Sequence, residues 1–114
     1  MGMNTITKIQ WNLFLLFLFL IPSLVNAISL EGEILFRQNC SSCHTNGRNR
    51  ILPEKNLRQE TLIANGMNSV EAIQYQITNG KNGMPAFGGR LSEKEIEQIA
   101  LYVFKESSQS FQKE

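Results

Sequence analysis

Cys40-Ser41-Ser42-Cys43-His44 places two thiols and an imidazole within one short stretch, in the C-x-x-C-H spacing at which a c-type haem is attached. Each sulfur can form a thioether to a haem vinyl group, which leaves the adjoining imidazole beneath the iron without a preformed pocket. His44 is the only histidine in the chain. Two other chemistries use paired cysteines: a redox disulfide and half of a zinc site. A four-ligand zinc site lacks partners here, since only scattered carboxylates remain, and a thioredoxin-like motif needs a βαβ setting for which the strand signals are missing.

A second candidate ligand sits in Gly80-Lys81-Asn82-Gly83-Met84-Pro85-Ala86-Phe87-Gly88-Gly89, a stretch too rich in glycine and proline for helix or strand. Apolar residues inside such a loop need something to cover. With a haem beneath the loop, the Met84 thioether is the natural sixth ligand and Pro85 stiffens the segment that presents it. Methionine is also ordinary core filler. Met1 and Met3 belong to the N-terminal leader, so Met67, in a short turn between helices, is the remaining rival.

Composition narrows the function classes. The chain has no aspartate, its glutamates are dispersed, and no second histidine accompanies His44, so neither a paired-carboxylate nor a nucleophile–base arrangement is present. No basic run with interleaved aromatics supports nucleic-acid binding. The uncharged run Leu13 to Ile21, broken by Pro22 and followed by Val25-Asn26-Ala27, reads as a secretory signal peptide spanning residues 1–27 and cleaved after Ala27. The alternative, a retained anchor, is short of the ~20 apolar residues that span a bilayer. Without Lys8, the remaining lysines and arginines match the glutamates in number, so residues 28–114 form a near-neutral domain, not membrane-embedded.

The elements that must position these residues read as helices. Ser29 is a candidate cap for a helix carrying Leu30, Ile34 and Leu35, and Gly32 inside it either marks a close approach by another helix or stands there by accident, at a cost of about 1 kcal/mol relative to alanine. Residues 45–56 form an irregular loop around one haem edge, where the Pro53 carbonyl is a candidate acceptor for the His44 ring N–H. A short helix around Leu57, Leu62 and Ile63 stops at Asn65-Gly66. Another is expected from an Asn68 and Glu71 capping pair, with Ile73 and Ile77 buried and Gln76 flanking them, ending at Asn79-Gly80. The last helix carries the Ser92 and Glu95 capping box, with Ile96, Ile99, Ala100, Val103 and Phe104 on one face. Residues 107–114 read as a frayed polar tail.

Together, Cys40-x-x-Cys43-His44, Asn49 to Lys55, Tyr75 to Gly83 and Met84-Pro85-Ala86-Phe87-Gly88-Gly89-Arg90-Leu91 resemble the class I cytochromes c, and within them the photosynthetic cytochrome c6 family of cyanobacteria and algal plastids. The resemblance runs from about Gly32 to Val103. It implies an all-α fold of about four helices around one covalent haem c, thioethers at Cys40 and Cys43, and axial ligation by His44 and Met84. It further implies that Asn49 and Lys55 lie near the haem propionates, that Gln76 tunes the potential and that Arg90 helps to dock the acceptor. The implied role is electron transport rather than catalysis, from the cytochrome b6f complex to photosystem I, in the thylakoid lumen of a plastid or the thylakoid lumen or periplasm of a cyanobacterium. The lack of an Arg- and Ser-rich transit region fits a gene read in a plastid or bacterium. A respiratory carrier donating to a terminal oxidase would use the same ligands, and a haem sensor or peroxidase-like enzyme would need Met84 to leave the iron. One departure stands out: many members carry a tryptophan near the C-terminus, whereas Trp11 is the only one here and Phe111 is the candidate for that area.

Overall fold

The computed structural model describes residues 4–112, and within residues 20–29 the backbone but not the side chains. Its helices are α1 (Thr5–Asn39), α2 (Ser41–His44), α3 (Gln59–Ala64), α4 (Val70–Asn79) and α5 (Glu93–Ser107), with 3-10 turns at Thr45–Gly47, Pro53–Lys55 and Ser110–Gln112. Among the described residues there is no strand, only isolated bridges between Lys81 and Met84 and between Gly88 and Leu91. The all-α class expected from the sequence is the one observed, and the haem motif itself adds the one-turn α2.

α1 does not begin at Ser29. It is continuous from Thr5, behind an Asn4 that makes no side-chain cap. Leucine is a strong helix former, and the upstream carbonyls satisfy the N–H groups that a cap at Ser29 would have served. The side chains of Val25, Asn26, Ala27 and Ser29, on which the expected cleavage and cap rest, lie outside the described residues, as do Met1 and Met3. Side chains from Ile6 to Phe19 stand in solvent. Among the described residues, no helix is long and apolar enough to cross a membrane.

The C-terminal third of α1 crosses α5 at Gly32. A methyl group there would collide with the backbone oxygen of Gln98 and press on Tyr102 Cβ, so the two backbones meet directly and only glycine fits. One turn on, the Phe36 ring packs on Tyr102 with centroids 5.2 Å apart. α5 buries Ile96, Ile99, Ala100 and Val103, and the stripe is completed by Ser107, four residues beyond Val103. Phe104, expected on that face, is 39% exposed, because at about 100° per residue it falls at the edge of the stripe, one turn on from Ala100 and further round the helix. On its other side α5 packs against α4, which contributes Ile73 and Ile77 to the core as expected.

Side-chain caps fix where α4 and α5 start. Ser92 and Glu95 form the expected reciprocal capping box on α5. α4 is capped by Ser69, whose hydroxyl accepts from the Ala72 N–H at 3.1 Å, and not by Asn68, which lies one residue too early to reach that donor. The tail is more ordered than its polarity suggested. Phe111 is 6% exposed, stacked near Phe36 and Tyr102 at centroid distances of 5.9 and 6.2 Å and seated against Gly47. The Gln112 amide then donates to Glu60 Oε2 at 3.0 Å and to the Ser107 carbonyl at 2.9 Å. Burying one aromatic ring outweighs the fraying tendency of its polar neighbours. Lys113 and Glu114 lie outside the described residues.

Candidate haem-binding site

α2 follows α1 with a break only at Cys40, so the haem motif is delivered on a rigid helical base. Cys40 N–H donates to the Phe36 carbonyl at 2.8 Å, and the amides of Cys43 and His44 donate to the Cys40 carbonyl at 3.1 and 2.9 Å. Both cysteines are free. Burial, reinforced by the neighbouring Cys43, pushes the Cys40 thiol up to about 11, so it is a neutral thiol at ordinary pH. Burial also lowers His44 below the usual imidazole value, against the opposing effect of its hydrogen bond to Arg48.

That bond decides the tautomer. His44 Nδ1 lies 2.9 Å from the Arg48 carbonyl, which can only accept, so Nδ1 carries the proton and Nε2 keeps its lone pair for a metal. The acceptor is therefore Arg48 and not Pro53, for which the sequence left an acceptor role and an ordinary turn proline equally open. Pro53 instead opens a 3-10 turn, and its carbonyl faces the Asn56 amide. The chain has already turned back beside His44 four residues on, at Asn46 and Gly47, both with positive φ.

Met84 comes from the opposite side. The Lys81 and Met84 backbones exchange reciprocal N–H to carbonyl bonds of 3.0 Å around Asn82 and Gly83, and Phe87 and Gly88 donate to the carbonyls of Ile77 and Thr78 at 2.9 and 3.0 Å. This clamps the loop to the end of α4. Gly80 has φ +65, and a Cβ there would stand 2.5 Å from the Met84 carbonyl oxygen, so the turn that presents Met84 requires glycine. Gln76, on α4, points its amide nitrogen at Met84 Sδ, 3.9 Å away.

Cys40, Cys43, His44 and Met84 all line one cavity of about 400 Å³, the size of a cofactor pocket. Its depth is apolar, with Phe36, Leu62, Ile73, Ile77, Phe87, Ile99 and Val103, while Asn49, Lys55, Asn56 and Asn65 border it with polar groups. Apolar depth with a polar margin and two free thiols suits an amphiphilic macrocycle bearing two vinyl groups and two propionates. A zinc site does not suit it: among the described residues no three His, Cys, Asp or Glu side chains stand together. Met67 lines the same cavity, but Met84 alone has the Gln76 amide on its sulfur.

The other expected residues divide. Asn49 lines the cavity, yet its side chain is engaged in the loop: Oδ1 accepts from the amides of Ile51 and Leu52 at 3.0 and 2.9 Å, and Nδ2 donates to the Lys55 carbonyl at 3.0 Å. Lys55 reaches the cavity with its ammonium on Asn65 Oδ1. Arg90 lies outside the cavity lining, its guanidinium 4.9 Å over the Phe87 ring whose other surroundings form the wall. Sequence reading passed over Arg50, whose guanidinium donates to the Ser42 carbonyl at 3.0 Å inside the haem motif. Nothing in the local spacing signals that contact, since the loop path creates it.

Comparison with known proteins shows the family. A family model described as cytochrome C oxidase, cbb3-type, subunit III, matches residues 29–103. Cytochrome c6 of Bumilleriopsis filiformis is 58% identical over 81 residues, 71% of this chain and 94% of the relative. Cytochrome c6 of Petalonia fascia is 52% identical, covering 71% of this chain and 95% of its own. This chain belongs to the cytochrome c6 family. Among solved structures, cytochrome c6 of the diatom Phaeodactylum tricornutum superposes with a TM-score of 0.66 at 46% identity, covering 69% of this chain and 93% of the other. The chain is accordingly an electron carrier with one covalently bound haem c, and not an enzyme.

Proposed function

We propose that this chain is a soluble shuttle that carries one electron at a time from the cytochrome b6f complex to photosystem I in a thylakoid lumen. The observation that carries the reading is the arrival of His44 and Met84, from α2 and from the α4–α5 loop, at the one cavity that also holds both thiols. In this reading Cys40 and Cys43 would hold the haem through their sulfurs, and His44 Nε2 and Met84 Sδ would be its iron ligands. When bound, the haem would supply reversible one-electron chemistry, and a methionine and histidine ligand pair would raise its potential. The protein does the rest. Arg48 fixes the imidazole, Gly80 and the clamp on α4 hold the thioether, and the apolar lining excludes water, so little rearranges when the charge changes.

The exposed side chains of Ile51 and Pro85 at the cavity, with Ala86 exposed beside them in the chain, form an apolar rim suited to brief encounters, with Lys81 and Arg90 as local positive charges. Residues 1–27 act as a signal peptide removed on export. Support comes from the family match, which begins at residue 29, and from the apolar run that leads to Val25-Asn26-Ala27. The matched model's description as an oxidase subunit keeps a respiratory reading in view. The test is flash photolysis: photosystem I particles mixed with the reduced holoprotein should oxidise it within the pre-bound or fast-encounter phase. Oxidation by a terminal oxidase with none by photosystem I would move the chain to respiration.

A further inference from the structure

We infer that Arg50 is a positioning residue that holds the cysteine-histidine turn from outside and places an unneutralised positive charge beside it, which raises the reduction potential. This rests on the haem reading above. Arg50 bonds to the motif twice: its amide donates to the Cys43 carbonyl and its guanidinium to the Ser42 carbonyl, each at 3.0 Å. Those carbonyls belong to the two residues just before His44. Two residues earlier on the same loop, the Arg48 carbonyl receives the His44 ring N–H. The return of residues 48–50 thus grips both the backbone of the turn and the ring of its histidine. Gly47, with Phe111 seated on it, fixes where that return begins.

The guanidinium has no ion-pair partner among the described residues. A neutral donor would suffice to tie down a carbonyl, whereas an arginine adds a fixed charge close to a centre whose own charge changes by one. A nearby positive charge disfavours the oxidised, more positive state, and the effect weakens with salt because Arg50 is exposed.

The experiment is a spectroelectrochemical titration of wild-type, Arg50→Lys, Arg50→Gln and Arg50→Glu holoproteins at low and high ionic strength, with thermal unfolding of each. The Lys variant should keep most of the wild-type potential. The Gln variant should shift to lower potential, and the Glu variant should shift about twice as far, since the Coulomb term is linear in charge. All shifts should shrink in high salt. Equal shifts for Lys and Gln, or a potential indifferent to the sign of the residue, would overturn the inference, and the Lys–Glu pair decides the matter if Gln fails to fold. A preparation that incorporates no haem would instead overturn the reading of the site itself, which the absorption spectrum reports separately.

Discussion

The Gln76 amide on Met84 Sδ is a small dipole with its positive end toward the candidate axial ligand. Replacing Gln76 with Val removes it and should lower the potential by about 1 kcal/mol, roughly 40 mV for one electron, with the low-spin spectrum retained. Met84→Ala should go further and open a coordination position, detected as carbon monoxide binding to the reduced protein. The cysteines and His44 were legible because thioether attachment depends on a spacing of five residues that any fold preserves. Met84 was legible because an apolar residue in a glycine-rich loop calls for a surface to cover. The Arg48 acceptor and the Arg50 clamp were not, because they depend on where the loop returns, and two positive-φ residues, Asn46 and Gly47, decide that.

Between elements, the closest approach is α1 on α5. Gly32→Ala should destabilise the fold by roughly 1–3 kcal/mol, measured by denaturant unfolding, because the methyl meets the Gln98 backbone, which cannot swing aside. The start of α5 carries a pH dependence. The Ser92 amide, and then its hydroxyl, hold the Glu95 carboxyl below its ordinary value. The folded state thus binds fewer protons than the unfolded one near that value, so the stabilisation is present above it and is lost as pH falls through the folded value. Glu95→Gln should therefore unfold at lower temperature than wild type at pH near 7, with the gap closing on acidification below about 4.5. The capping box was readable from Ser92 and Glu95 alone. Ser69 was missed in favour of Asn68 because neighbouring cap-competent residues differ only in backbone angle, which side-chain chemistry does not reveal.

For the whole molecule, the C-terminal turn acts as a brace between α5 and the haem loop. Phe111→Ala should cost about 3–5 kcal/mol and loosen the loop at Gly47, visible as faster amide exchange around residues 45–50. The sequence's polarity hid that brace, because one buried ring sits among residues that each favour solvent. The helical class and the order of elements were legible from periodicity, while the continuity of α1 through Ser29 was not, since a cap-competent serine inside a helix looks like one that starts it. Mass spectrometry of the protein from an exporting host should find Ile28 at the amino terminus and one haem added. The account as a whole stands on a closed iron site, and the absorption spectrum of the mature holoprotein, oxidised and then reduced under carbon monoxide, tests it most directly. A ferric methionine-sulfur charge-transfer band and a reduced spectrum indifferent to carbon monoxide are the predicted result. Absence of that band with ready carbon monoxide binding would contradict it.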